Sequence, residues 1–420
     1  MLAERILTIL SVTPALQCSA CRYAPFYAQK SLASQAFPAD VRSAYAPNPS
    51  RRIYSTSTSS QPLPTKASDS IFSYRIGASF SGKGRRFDPK EDVYAFDHSR
   101  APTSEKDIYT GRPKSGQDAF FVSNAGNSNG VAFGVADGVG GWSDSGIDSA
   151  YFSHGMCKWM AKIASKEQTS EKDLTPQNLL QDAYNSLVED GKISGGGSTA
   201  CIAVGNPDGN LRVSNLGDSG YILLRLNAVH HFSNPQTHAF NTPYQLSLVP
   251  PKILALTHLF GGAHLSDSPT DSDTTTHSVR HGDVLIFATD GVWDNLSQVE
   301  LLKIVSRTMT ESQAWILAEE KNGISVSDSL ATLTNKNEDK NGHGDKKGVL
   351  QLQTKLATNI VSEAKSASLD RRRDGPFARE VQKHYPGENY RGGKVDDICV
   401  VVAVVVEERG GVRVKERAKL

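Results

Sequence analysis

The sequence predicts an α+β protein, in which β-sheets are flanked by helices that do not alternate with the strands. Short runs rich in β-branched and aromatic residues, bounded by Gly, Asp or Asn, are typical of strands. They occur at 118–122, 131–135, 198–204, 211–215, 221–226, 284–288 and 398–406. Longer segments with helical periodicity occur at 149–166, 176–189, 297–319 and 351–369.

The order of these elements carries the class prediction. Two strands are followed by two helices, a block of strands, two more helices and a final strand. A parallel α/β sheet would need strands and helices in alternation, so this order favours sheets with separate helical layers. The final run, 398–406, is too short for the roughly 18 apolar residues of a membrane span and is β-branched, which indicates a buried strand.

The first 54 residues differ in composition from the rest of the chain. They hold six basic and two acidic residues and are rich in Ser, Ala and Thr, which is typical of an organelle transit peptide. Arg52-Ile53-Tyr54-Ser55 resembles a mitochondrial processing site. A disordered tail and a secretory signal are the alternatives, and Glu4 and several hydroxyl residues weaken the second. We therefore expect a mitochondrial protein, with the matrix as its compartment.

The remaining chain is expected to form a single catalytic domain. Residues 55–70 read as a linker, 71–408 as the domain, and 409–420 as a frayed, charged tail. Residues 321–347 are dominated by Asn, Asp, Lys, Ser and Gly, which predicts a solvated insertion between two helices. Without the basic presequence, the whole-chain net charge of +1 becomes −3.

Composition excludes several classes of function. Balanced charge, with 46 basic and 45 acidic residues, argues against a nucleic-acid-binding protein, and no segment is long and apolar enough to span a membrane. Five scattered Cys do not form a disulfide framework. Cys18 and Cys21 form a C-x-x-C without a second pair, inside the predicted presequence, so a zinc site is not expected. We expect a monomer.

Aspartates at the ends of predicted strands are the most informative feature. Asp137 and Asp290 each follow an apolar strand and precede Gly, while Asp118 and the pair Asp396-Asp397 open two further strands. One such Asp-Gly is often only a turn. Several joined to buried strands suggest a set of oxygen ligands for a hard cation such as Mg²⁺ or Mn²⁺. Two such cations would polarise a phosphoryl oxygen and lower the pKa of a water, which is the chemistry of phosphate-ester hydrolysis.

Five short motifs in one order resemble the signature of the metal-dependent (type 2C) serine/threonine protein phosphatases. They are Asp137-Gly138-Val139-Gly140-Gly141-Trp142, Gly197-Ser198-Thr199-Ala200, Leu216-Gly217-Asp218-Ser219-Gly220, Ala288-Thr289-Asp290-Gly291-Val292-Trp293-Asp294 and Gly393-Lys394-Val395-Asp396-Asp397-Ile398. The resemblance runs from about residue 111 to 406. The segments 240–246 and 265–269 resemble the mitochondrial subgroup of that family, which agrees with the presequence.

The resemblance implies a four-layer α-β-β-α sandwich, with two antiparallel sheets flanked by helix pairs and a binuclear Mn/Mg centre at one end. Asp118, Asp137, Asp290 and Asp396 match the metal-binding aspartates, which would act in catalysis through the metals and a water. Gly138 matches a residue that offers its backbone carbonyl. Asp218 and Asp294 match residues tied to a third metal, and Asp397 is a further candidate ligand, ranked below Asp396.

Three positions depart from the family pattern. Gln117 stands where many members have Glu, and Val139 where many have a His proposed as general acid. The usual phosphate-binding Arg has no unambiguous match, so Arg112 and Lys114 are candidates for that role, with an ordinary solvated loop as the alternative. The basic segment 82–86, Gly-Lys-Gly-Arg-Arg, could cradle a phosphate, but such a loop is more often only flexible.

The function expected is hydrolysis of phosphoserine and phosphothreonine in mitochondrial proteins by a metal-activated water. The alternative is a pseudophosphatase that binds partners, which Gln117 and Val139 favour and the retained aspartates oppose. Gly217-Asp218-Ser219-Gly220 also resembles the nucleophile motif of trypsin-like proteases, but no His stands in a matching context. A cysteine-dependent phosphatase is not expected, because Cys201 is followed by an apolar strand and neither Cys157 nor Cys399 has a suitable Arg after it.

Overall fold

The computed structural model describes residues 71–96, 113–126, 130–166, 174–260, 264–318, 323–335 and 350–408. The predicted presequence, linker and charged tail, together with Arg112, lie outside the described residues. Helix 251–260 is assigned to a separate compact unit and is described by itself; the other described elements form one large unit.

Strands and helices follow one another in the segregated order that the sequence predicts. The strands are β1 (Ile71–Ser81), β2 (Val93–Ala95), β3 (Asp118–Asn124), β4 (Val131–Asp137), β5 (Gly196–Ser198), β6 (Ala200–Gly205), β7 (Asn210–Leu216), β8 (Gly220–Arg225), β9 (Ala228–Phe232), β10 (Thr237–Ala239), β11 (Thr242–Pro243), β12 (Leu246–Leu248), β13 (Asp273–Ser278), β14 (Val284–Ala288), β15 (Trp315–Ala318), β16 (Gly323–Val326) and β17 (Ile398–Glu408). The helices are α1 (Ala150–Ala164), α2 (Pro176–Asp190), α3 (Pro251–Phe260), α4 (Asp290–Trp293), α5 (Gln298–Glu311), α6 (Leu330–Thr334), α7 (Leu352–Leu369) and α8 (Pro376–His384).

Two antiparallel sheets form the centre of the large unit. One sheet has the strand order β2-β1-β17-β14-β8-β9, and the other has the order β13-β7-β6-β4-β3. Their facing sides share one apolar cluster, in which Phe133 of β4 packs edge-on against Phe287 of β14 with ring centroids 5.0 Å apart. The outer face of the second sheet packs against α1 and α2, and that of the first against α5 and α7. The four-layer α-β-β-α sandwich implied by the resemblance is confirmed.

Strand β17 shows why this sequence occupies the middle of the sandwich. Residues 398, 400, 402, 404 and 406 face the helical layer, while 399, 401, 403 and 405 face the other sheet. A strand with both faces covered is apolar at every position instead of alternating. The run of β-branched residues in 398–406 therefore reflects burial on both sides.

Three predicted elements need correction. Predicted strand 198–204 is two strands that pair with different partners, β5 with β12 and β6 with β4 and β7. Predicted helix 297–319 ends at Glu311, because Gln313 takes a left-handed conformation (φ +57°) and the buried Trp315 begins β15. The solvated insertion predicted over 321–347 is wrong for 323–335, which form β16 and α6 around the fully buried Leu330. Residues 336–349 lie outside the described part of the chain.

Candidate metal centre

Four of the predicted aspartates lie at strand ends of both sheets. Asp118 is the first residue of β3 and Asp137 the last residue of β4, and the two are directly opposite each other in the antiparallel register. Asp290 is the first residue of α4, just after β14, and Asp396 lies two residues before β17. Antiparallel strands place one strand's start beside its neighbour's end, so aspartates of the two sheets that are 153–278 positions apart in sequence meet at one end of the sandwich.

Asp118 is held by a hydrogen bond from the opposite sheet. Its side chain is almost fully buried, and Thr289 Oγ1, just after β14, donates to Asp118 Oδ2 over 2.7 Å. Thr289 Oγ1 also accepts from the Cys399 backbone N–H at 3.0 Å. The second oxygen, Asp118 Oδ1, is buried and has no hydrogen-bond partner among the described residues. One carboxylate oxygen is thus fixed, and the other is left without a donor.

Burial and mutual repulsion act on the acidic side chains together. Desolvation raises the pKa of Asp118 well above its ordinary value, and the nearby Asp397 raises it further. Desolvation and then the Asp118 charge raise the pKa of Asp137 well above its ordinary value, and desolvation and Asp290 raise the pKa of Asp396. Their ionised forms are therefore costly unless a cation lies close to them.

The backbone around Asp137 and Gly138 is pinned by the turn that precedes β6. The carbonyl of Asp137 accepts hydrogen bonds from Thr199 N and Ser198 Oγ, both at 2.9 Å, and Gly138 N donates to the Gln117 carbonyl at 3.1 Å. A Cβ at position 138 would approach the Gln117 and Ser149 carbonyl oxygens to 2.9 Å, so this close packing requires Gly. The Gly197-Ser198-Thr199 motif thus positions the Asp-Gly turn.

Lys394 lies among the predicted site residues, although the sequence reasoning quoted it only within a motif and gave it no role. Its Nζ lies 2.5 Å from Asp290 Oδ2, 2.7 Å from Asp294 Oδ2 and 3.4 Å from Asp396 Oδ2. Although burial lowers it, these carboxylates raise the pKa of Lys394 well above its ordinary value. The position two residues before Asp396 was the available signal, because alternate residues of an extended segment point the same way.

Asp218 and Asp294 border the same group. Desolvation, with Asp290 as the next contribution, raises the pKa of Asp218 to about 8. Desolvation also raises the pKa of Asp294 to about 7, against the opposing effect of Lys394. The structure therefore places both of these predicted residues close enough to Asp290 for their charges to interact, as the resemblance implied. The ammonium of Lys394 interacts with the same carboxylates.

Asp397 makes bonds of another kind. One of its carboxylate oxygens accepts the Gln117 backbone N–H at 2.8 Å, and the other accepts the Lys83 backbone N–H. Gly116 (φ +74°) lies against this carboxylate, and a Cβ there would come within 2.1 Å of it. Both oxygens of Asp397 thus join the loop after β1 to the loop before β3.

Lys83 is the second basic residue that sequence reasoning missed. The sequence predicts a flexible loop at 82–86, yet Lys83 Nζ lies 3.4 Å from Asp396 Oδ1, with the side chain 61% exposed. The buried Lys365 ammonium donates to the Gly82 carbonyl at 3.0 Å and fixes the loop from behind. Of the two predicted phosphate-binding residues, Lys114 is exposed on the loop before β3 and Arg112 lies outside the described residues.

The donor set fits a hard divalent cation. In the part of the chain that the structure describes, no three His, Cys, Asp or Glu side chains are already arranged as a metal site. The chemistry nevertheless matches: the donors are carboxylate oxygens, their pKa values are raised by burial and repulsion, and Asp118 Oδ1 is buried without a partner. A bound Mn²⁺ or Mg²⁺ would offset the repulsion and pair that oxygen.

The chain is similar to proteins of one phosphatase family. Residues 108–333 match the protein phosphatase 2C family, a range that includes five of the predicted site aspartates and ends before Asp396. The Saccharomyces cerevisiae protein phosphatase 2C homolog 7, mitochondrial, is 30% identical over 89% of this chain and 92% of its own length. The human protein phosphatase PTC7 homolog is 32% identical over 70% of this chain and 80% of its own length.

Solved structures show the same fold. The X-ray structure of the photosystem II phosphatase PBCP matches with a TM-score of 0.51 and 23% identity, over 79% of this chain and 98% of that chain. The family match spans more than half of the chain, and the relatives align over most of their length. The chain therefore belongs to the protein phosphatase 2C family and is a metal-dependent protein serine/threonine phosphatase.

Proposed function

We propose that the protein hydrolyses phosphoserine and phosphothreonine in mitochondrial proteins at a centre that holds two Mn²⁺ or Mg²⁺ ions. The observation that carries this proposal is the meeting of Asp118 and Asp137 from one sheet with Asp290 and Asp396 from the other. Their carboxylates and the backbone carbonyl of Gly138 are the proposed ligands. Bound there, the cations supply Lewis-acid polarisation of the phosphoryl group and lower the pKa of an attacking water.

The chain's own residues would prepare and border this centre. Thr289 fixes one oxygen of Asp118 and leaves the other free to bind. The exposed ammonium of Lys83, beside Asp396, is placed to attract the phosphoryl group of a substrate. Val139 offers no proton to a leaving group, so no acid is assigned at that position.

The cysteines support hydrolysis without a covalent phosphoenzyme. Cys157, Cys201 and Cys399 are buried, and burial raises the pKa of each thiol above its ordinary value. A nucleophilic cysteine needs an exposed thiolate, which burial in an apolar environment opposes. These three residues are therefore core side chains, and direct attack by water remains as the proposed route.

We place the enzyme in the mitochondrial matrix, acting on phosphoproteins as a monomer. The basic, acid-poor first 54 residues support import, and the yeast relative carries the word mitochondrial in its name. Within the described residues no helix has the length and apolar character that crossing a bilayer requires. Fractionation of mitochondria followed by protease protection tests the compartment, and recovery outside the inner membrane would exclude the matrix.

A phosphatase assay tests the proposed activity directly. The full chain is incubated with a phosphoserine or phosphothreonine peptide and Mn²⁺, and then with EDTA in excess. We expect phosphate release with Mn²⁺ and its loss on chelation. Release that is unaffected by EDTA would refute the metal mechanism, and no release with Mn²⁺ or Mg²⁺ would favour the pseudophosphatase alternative suggested by Gln117 and Val139.

A further inference from the structure

The ammonium of Lys394 is rigidly placed among the acidic side chains. Asn295 binds Lys394 on both backbone sides: its Oδ1 accepts the Lys394 N–H at 3.0 Å, and its Nδ2 donates to the Lys394 carbonyl at 2.8 Å. Asn295 Nδ2 also donates to the Gly291 carbonyl at 2.9 Å, which ties this segment to α4. The Lys394 ammonium lies 5.5 Å from the centre of the Phe377 ring, and its side chain is only 15% exposed.

The contacts of this ammonium are those that a small cation would make. Its Nζ donates hydrogen bonds to Asp290 Oδ2 and Asp294 Oδ2, at 2.5 and 2.7 Å, and lies 3.4 Å from Asp396 Oδ2. A lysine ammonium is a compact point charge with three donors and no acceptor, so it satisfies several carboxylates at once. The oxygens that Asp290 and Asp294 turn toward Lys394 are therefore already paired with a positive charge.

A divalent cation on the same oxygens would have to displace the ammonium or lie close to it. Two positive charges about 4 Å apart repel each other strongly in a partly buried site. Asn295 fixes the backbone from which the lysine side chain extends, and displacing the ammonium would break its contacts with Phe377 and with the carboxylates of Asp290 and Asp294. Asp118, in contrast, is at the part of the cluster where a buried oxygen still lacks a partner.

We propose that Lys394 supplies the positive charge that a third divalent cation would otherwise provide beside Asp218 and Asp294, so that the chain binds two divalent cations and not three. This inference rests on the metal centre of the proposed function. Of the two residues that the resemblance ties to a third metal, Asp294 pairs with the lysine at 2.7 Å and Asp218 interacts with its charge, and the two cations are held by the other acidic ligands.

Equilibrium dialysis of the full chain against Mn²⁺ counts the bound ions without reference to activity. We expect two Mn²⁺ per chain for the wild type and for Lys394→Arg, and three for Lys394→Met at the same free Mn²⁺. Lys83→Met is the matched control, because Lys83 contacts Asp396 but neither Asp290 nor Asp294; it should still bind two. Asp294→Asn in the wild-type background should also bind two.

The possible results separate this inference from the proposed function. Three Mn²⁺ in the wild type, or the loss of one ion in Asp294→Asn, would overturn the role of Lys394 and leave the metal centre intact. A Lys394→Met variant that folds, judged by circular dichroism, and still binds two ions would also overturn it. A wild type that binds no Mn²⁺ would overturn the proposed metal centre as well, and with it this inference.

Discussion

Replacing Thr289 by Val should weaken both the fold and Mn²⁺ binding, because it removes a single buried hydroxyl. The two side chains have nearly the same shape, so the change removes the donor to Asp118 and the acceptor for the Cys399 N–H without leaving a cavity. Thr289 is fully buried, so water cannot replace either bond. Loss of a hydrogen bond to a charged group costs about 1.5–3 kcal/mol, and a buried unpaired N–H adds about 1–3 kcal/mol.

The expected total is a loss of about 2.5–6 kcal/mol in the free energy of unfolding. For a domain of this size, with an unfolding entropy of about 0.7 kcal/mol/K, that corresponds to a fall in Tm of roughly 4–8 °C. Mn²⁺ affinity should fall too, because Asp118 loses the bond that orients it. Thr289→Ser keeps the hydroxyl and loses one buried methyl group, worth about 1 kcal/mol, and is the matched control.

The same substitution should change the pH profile of Mn²⁺-dependent phosphatase activity. Burial and neighbouring carboxylates raise the pKa of Asp118, and the Thr289 hydroxyl opposes this by stabilising the ionised form. Without the hydroxyl the pKa of Asp118 rises further, so activity should be lost at a higher pH as the solution is acidified. Calorimetry, Mn²⁺ titration and pH–rate profiles of both variants measure these effects. Equal damage by Ser and Val, or none by Val, would refute the reasoning.

Three further predictions follow from the same end of the sandwich. Asp137→Asn and Asp290→Asn should each abolish turnover of a phosphopeptide with little change in Tm, because removing one of several repelling carboxylates does not weaken the fold. Lys83→Ala should raise KM for a phosphopeptide about three- to tenfold with kcat nearly unchanged, the effect expected of an exposed charge. The free energy of unfolding of the metal-free chain should fall as the pH rises from about 4 to 8. Folding raises the pKa values of Asp218 (to about 8) and Asp294 (to about 7), so the folded state binds more protons than the unfolded state in this range.

Each of these has a result that would count against it. Near-normal rates in either Asn variant would exclude that aspartate as a ligand. Lys90→Ala is the control for Lys83, since it changes an exposed lysine farther along the same loop, and equal effects of both would indicate nonspecific charge. If the Tm in EDTA does not depend on pH, the carboxylates of the acidic cluster do not repel one another in the folded state. Saturating Mn²⁺ should reduce the pH dependence of the Tm.

Local pattern was sufficient to predict the segregated α+β order and the placement of Asp118 and Asp137 at strand ends, whereas the four-layer sandwich was implied by the resemblance. An apolar strand that stops at an Asp predicts where the strand ends and which carboxylate could bind a cation, and both predictions can be made from neighbouring residues. The pairing of Asp118 with Thr289 could not be read in this way, because it joins strands of different sheets. The separation of 171 residues leaves no periodic signal that connects them.

The basic residues of the site were harder to predict for a related reason. Lys83 lies in a Gly-rich loop whose composition indicates flexibility, but Asp397 and Lys365 fix that loop through its backbone. Lys394 was visible in its motif, yet only the structure shows that its ammonium points into the carboxylates. A lysine near acidic residues in sequence usually has a solvated side chain, and only tertiary packing determines when its ammonium is buried against carboxylates instead.

The hydrogen bond between Thr289 and Asp118 has a consequence for the whole molecule. Because ligands of the proposed centre come from both sheets, a metal ion bound there would cross-link the two halves of the sandwich. Binding energy would then oppose any motion that separates the sheets. Amide hydrogen exchange should slow in Mn²⁺ along central strands of both sheets, β4 and β14 among them. The bound metal would then stabilise the packing of one sheet on the other as well as the site itself.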